Sequence, residues 1–86
     1  MPEISRFFGI VIRMYLRDHG PPHFHATYGD LEARIRIGPA GLLDGRLPPR
    51  FLGFVIEWAT IHESELLDNW YRLRAAQPPV RIAPLE

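Results

Sequence analysis

Apolar residues alternate with others along the front of the chain and recur every three or four positions along the back. Ile10, Ile12, Met14 and Leu16 alternate with Val11, Arg13, Tyr15 and Arg17, the period-2 pattern of a half-buried strand. Gly20-Pro21-Pro22 breaks that strand, because proline lacks the N–H a ladder uses. His23 to Tyr28 reads as a second strand and Gly29-Asp30 as a compact turn. Leu31, Ala33, Ile35 and Ile37 then alternate with Glu32, Arg34 and Arg36, a third strand. The short gap between the second and third strands predicts an antiparallel hairpin. After the turn Gly38-Pro39-Ala40-Gly41, Leu42, Leu43 and Leu47 around Asp44-Gly45-Arg46 give a short, imperfect fourth strand.

Pro48-Pro49 ends the sheet, and proline is well tolerated in a first helical turn. Phe51, Leu52, Val55, Trp58, Ala59, His62, Leu66, Trp70 and Leu73 follow at helical spacing. A single straight helix over 49–75 would be about 40 Å long, more than so small a domain can cover. A break near Thr60–Glu63 is therefore expected, with Ser64, or failing that Thr60, capping the second helix. Gln77-Pro78-Pro79 stops it, and Val80 to Leu85 reads as an extended tail that pairs with a sheet edge.

These elements predict an α+β fold in one domain over 1–86. A three- or four-stranded antiparallel meander (residues 4–47) precedes a long or broken helical segment (49–76) packed on one face, and the tail spans 78–86. Phe24, Ala26 and Tyr28 are the more apolar set of the second strand, which turns His23 and His25 outward. The outer face then carries Arg13, Arg17, His23, His25, Arg34 and Arg36.

A chain of 86 residues buries roughly 60–65% of the surface its unfolded form exposes, so a second copy of the chain could add stability. The formal net charge is zero and 47% of residues are apolar, which excludes a disordered polyelectrolyte. No cysteine is present, so disulfides, zinc–thiolate sites and thiol nucleophiles are excluded. The apolar runs are far shorter than the ~20 residues of a membrane span. The opening residues lack the basic region and apolar core of a signal peptide, so a cytoplasmic protein is expected. All ten basic residues are arginine. Arginine suits phosphate, but zero net charge argues against a general nucleic-acid binder and fits a plain coding bias.

The chemistry concentrates in Asp18-His19-Gly20-Pro21-Pro22-His23-Phe24-His25, which holds three of the four histidines. Three readings stand side by side. In the first, His23 and His25 share one side of a strand and ligate a divalent metal such as zinc. His19 or Asp18 would join from the turn, or His62 from the helix. Three ligands and an open position suit a catalytic ion. In the second, no cofactor is present. His23, His25 and His19 act as acid and base beside Arg13, Arg17, Arg34 and Arg36, with Tyr15 or Tyr28 for stacking unpaired RNA bases. In the third, the cluster is structural and its imidazoles satisfy buried backbone groups. His62 lies on the apolar helix stripe beside Trp58 and reads as a core or boundary residue. Trp58 and Trp70 read as core, and Glu63, Glu65 and Asp68 as a solvated face.

Beyond this cluster, Ile4-Ser5-Arg6-Phe7-Phe8-Gly9 precedes the first strand, and Gly45-Arg46-Leu47-Pro48, Glu57-Trp58, His62, Glu65-Leu66-Leu67, Asn69-Trp70 and Ile82-x-Pro84-Leu85 follow. With Asp18 to Tyr28, these linked motifs resemble the small bacterial domain-of-unknown-function family 4160 over nearly the whole chain. The resemblance implies a small partner protein encoded nearby, in an arrangement like a toxin–antitoxin pair. The expected function is a protein- or RNA-binding component of such a pair, with Arg13, Arg17, Tyr15, Arg34, Arg36 and Tyr28 at the binding surface. The alternative is a histidine-centred nuclease or hydrolase, metal-dependent or not.

Overall fold

The computed structural model describes residues 3–86. Five strands, β1 (Glu3–Phe7), β2 (Ile10–Arg13), β3 (His23–Tyr28), β4 (Leu31–Arg36) and β5 (Gly41–Gly45), precede two helices, α1 (Pro49–Ile61) and α2 (Glu63–Arg74). The strands form one antiparallel meander in the order β1-β2-β3-β4-β5. The α+β architecture is as expected, but the sheet has five strands rather than three or four.

The additional strand is β1, joined to β2 through Phe8 and Gly9. Both have positive φ, 53° and 80°, as the two central residues of a type I′ hairpin turn require. Phe8 carries no turn signal and the lone Gly9 beside it marks the hairpin only weakly in the sequence. Strand β2 is also shorter than its alternation predicts. It stops at Arg13; Met14 stays buried, but Leu16 is half exposed.

A bulge explains the imperfect pattern of the last strand. Arg34 opposes Asp44 and Ile35 opposes Leu42, so Leu43 is the extra residue of β5. Leu42 is exposed and Leu43 half-buried. A second bulge in β1, between Glu3 and Ser5, leaves Ile4 as the extra residue. The N–H of Ile82 donates to the Ile4 carbonyl at 2.8 Å, so the tail meets the β1 edge.

Ile10 and Ile12 of β2, Phe24 and Ala26 of β3, and Ala33 and Ile35 of β4 are buried in one core with Val55, Trp58 and Ala59 of α1 and Leu66, Trp70 and Leu73 of α2. Both tryptophans are core residues. The Trp58 indole N–H donates to the Ala83 carbonyl at 2.8 Å. The buried Asn69 amide both donates to and accepts from the backbone of Val80, each at 2.8 Å. These bonds hold the tail against the helices.

The helices break at His62, within the expected span. The longest principal extent is 34 Å, which the uninterrupted helix would overrun. Neither Ser64 nor Thr60 caps α2: the flanking residue is His62, with no side-chain cap, and the Thr60 hydroxyl donates to the Ile56 carbonyl. Glu63 and Glu65 in the first turn and Arg72 and Arg74 in the last complement the helix dipole.

Gly45 has φ +79°, and a Cβ there would overlap the Glu32 carbonyl oxygen and lie 2.9 Å from the Ala33 Cα. Gly29, with φ +58°, faces open space. Gly45→Ala is expected to lose about 2 kcal/mol or more in urea unfolding, and Gly29→Ala about 1 kcal/mol. Equal losses would contradict the assigned close approach.

Candidate metal centre

The site sits where β3 leaves the Pro21-Pro22 corner. His23 and His25 lie two residues apart on β3, with Phe24 between them in the core. The same parity points both imidazoles away from Phe24. Their surroundings nevertheless differ. His23 is only 1% exposed, and its ring packs against Trp70 of α2 at a centroid distance of 5.3 Å. His25 is half-buried on the outer side of the sheet, with the Tyr15 ring nearly perpendicular to its own at a centroid distance of 4.6 Å. The expected outward pair is thus one half-open imidazole and one sealed imidazole, because α2 brings Trp70 over the end of the row.

The β2–β3 loop is held from α2. The Arg74 guanidinium donates to the carbonyls of Tyr15 and Leu16, at 3.3 and 2.8 Å. It also lies over the Trp70 ring, 4.0 Å from its centroid. One arginine therefore ties together the loop carrying Asp18 and the ring that covers His23.

The His23 Nδ1–H donates to the Pro21 carbonyl at 2.9 Å. A carbonyl only accepts, so that bond leaves Nε2 with a lone pair in the neutral ring. This Nε2 is buried and has no hydrogen-bond partner among the described residues. Its nearest charged neighbour is Asp18 Oδ2 at 3.3 Å, itself an acceptor. His25 meets two carboxylates: Nε2 stands 2.9 Å from Asp18 Oδ2 and Nδ1 2.9 Å from Glu32 Oε2. A neutral imidazole has one N–H and can donate to only one of them.

Asp18, His23 and His25 each offer one ligand atom, and these atoms lie within 4.8 Å of one another. Ligands about 2.0–2.1 Å from a tetrahedral zinc ion stand roughly 3.3 Å apart, which matches Asp18 to His23 at 3.3 Å and is slightly longer than Asp18 to His25 at 2.9 Å. The outer nitrogens are already engaged, His23 by a carbonyl and His25 by a carboxylate. This is the arrangement that orients metal-bound imidazoles.

Other expected site residues fall elsewhere. His19 is exposed and outside the cluster, and Asp18 takes the third position. The His62 Nδ1 lies 2.5 Å from Glu65 Oε1, one turn along α2. Tyr28 stacks on Phe51 with ring centroids 4.1 Å apart, at the far end of β3 from His23. Arg17 lies beyond β2, exposed in the loop.

Arg13, Arg34 and Arg36 do share the outer face. Arg13 and Arg34 are the cross-strand partners of His25, and Arg36 is the partner of His23. Arg13 donates to the Thr27 hydroxyl at 3.4 Å and Arg36 to the Pro39 carbonyl at 3.2 Å. Arg34 forms a forked pair with Asp44. Sequence reasoning did not single out Glu32, Trp70 or Arg74 as parts of the site. Glu32 was accessible in principle: the Gly29-Asp30 turn sets a register in which Glu32 opposes Thr27 and sits diagonally from His25.

Hydrogen bonds from Arg34 hold the Asp44 carboxyl below its ordinary value, and its charge acts in the same direction. A depressed carboxyl stabilises the fold above the unfolded value and loses that contribution as pH falls through the folded value. NMR titration is expected to give Asp44 a midpoint below that of an ordinary aspartate, moving upward in Arg34→Gln. An unchanged midpoint would contradict the pairing.

Comparison with known families matches the chain to a model described as "Domain of unknown function (DUF4160)" over residues 9–71. Comparison with curated proteins and with solved structures finds no match. No helix among the described residues is long and apolar enough to cross a membrane.

Proposed function

The chain belongs to the DUF4160 family, and from its geometry we propose that it works through a divalent-cation centre of the zinc class. Asp18 Oδ2, His23 Nε2 and His25 Nε2 are the ligands, and the centre is hydrolytic in type. The observation that carries this reading is the buried, unpartnered Nε2 of His23 facing the Asp18 carboxylate. With the ring neutral, two acceptors in that position repel unless a positive charge lies between them. A metal ion supplies that charge and also takes the place of the second proton that His25 would need.

Three protein ligands leave a tetrahedral ion with one free position. Structural zinc sites are normally closed by four ligands, whereas catalytic sites hold water in the fourth. The ion lowers the pKa of that water and polarises a bound oxygen. Glu32 keeps His25 in the tautomer that ligates, and Pro21 does so for His23. The metal-bound histidine-centred hydrolase or nuclease is therefore favoured over metal-free histidine chemistry.

The second reading is a binding role without turnover, as the protein- or RNA-binding half of a toxin–antitoxin-like bacterial pair acting in the cytoplasm. The exposed Leu16, Arg17 and His19 beside the centre favour it. Neutralisation of Arg34 by Asp44 counts against an extended RNA face.

Titration calorimetry of the purified chain with zinc is expected to give one site per chain. Asp18→Asn and His25→Ala should each weaken it at least 100-fold, and Glu32→Gln about 10- to 100-fold. His19→Ala should leave it unchanged. Failure of the unaltered chain to bind zinc, manganese or cobalt, or equal binding by the His25 variant, would overturn the proposal.

A further inference from the structure

Resting on the metal-centre reading, we propose that the cation's open position takes a phosphate-type oxyanion, which the guanidinium groups of Arg13 and Arg36 bind in turn. The sheet register carries this inference. Arg13, His25 and Arg34 stand opposite one another across β2, β3 and β4, and Arg36 stands opposite His23. Side chains opposite each other in an antiparallel pair share a face, so the two ligating histidines lie within a row of arginines.

The three arginines are not equivalent. Arg34 is held by Asp44. Arg13 and Arg36 form no ion pair among the described residues and bond only to neutral oxygens, the Thr27 hydroxyl and the Pro39 carbonyl. An incoming oxyanion displaces one neutral acceptor from each. The planar guanidinium fork then matches two phosphate oxygens, as an ammonium would not.

The charge balance makes the anion site conditional on the metal. Around the two imidazoles Asp18, Glu32 and Asp44 balance Arg13, Arg34 and Arg36 while both rings are neutral, and Glu3, opposite Arg13 on β1, is paired with Arg6 and Arg81. A divalent cation turns this face positive at the point where its free coordination position lies. Metal and phosphate should therefore bind with positive coupling, and the coupling must be reciprocal. Zinc raises the affinity for the anion, and the anion raises the affinity for zinc by the same factor.

The experiment is calorimetry with phenyl phosphate as a monoester, dimethyl phosphate as a diester, and benzoate as a carboxylate control. Each is titrated into zinc-loaded and zinc-free chain. Phosphate binding at least tenfold tighter to the loaded chain is expected, weakened about tenfold in Arg13→Ala and in Arg36→Ala. Zinc affinity measured without phosphate should remain within twofold in both variants. Preference between the monoester and the diester assigns the substrate class. Zinc binding without phosphate binding, benzoate binding as tightly as either phosphate, or unchanged affinity in both variants would overturn this proposal while leaving the metal centre standing. A chain that takes no divalent metal would overturn both.

Discussion

In the neutral ring His23 Nε2 is a hydrogen-bond acceptor, and it faces a second acceptor, Asp18 Oδ2, at 3.3 Å with the imidazole sealed from water. An unsatisfied buried polar group costs about 1–3 kcal/mol, and a facing carboxylate makes the position worse for a lone pair. The surrounding structure holds this arrangement instead of relaxing it. The Pro21 carbonyl fixes the ring's tautomer, Trp70 covers it, and Arg74 ties the Asp18 loop to α2. A positive charge between the acceptors makes those separate constraints consistent. That requirement links the Pro-Pro corner, the β3 register and the end of α2 in one account.

Most of the fold was legible because its core follows periodicity. Ile10, Ile12, Phe24, Ala26, Ala33 and Ile35 fill the positions that alternation assigns to one face, and the helix break falls where a straight helix would outrun the sheet. The strand missed lay behind a turn signalled by Gly9 alone: Phe8 takes positive φ although its side chain gives no sign of it. The uneven leucines of β5 reflect a bulge, which shifts parity by one and cannot be read from composition.

The site was legible in part. Clustering pointed to His23 and His25, and strand alternation placed them on one side. Tertiary packing decided the rest. His23 is covered by Trp70, which comes from 47 residues further along the chain, and no local pattern announces that approach. His19 was grouped with the others by proximity in sequence, yet the corner turns it to solvent and brings Asp18 inward. Glu32 acts through the hairpin register, a long step from its own alternating strand.

The most direct test is an anomalous-scattering crystal structure of the chain grown with one equivalent of zinc. The account predicts a single zinc peak bonded to Asp18 Oδ2, His23 Nε2 and His25 Nε2 at roughly 2.0–2.2 Å, with Pro21 and Glu32 still bonded to the opposite ring nitrogens. A chain free of zinc at this point, with a proton or water joining Asp18 to His23, would contradict it.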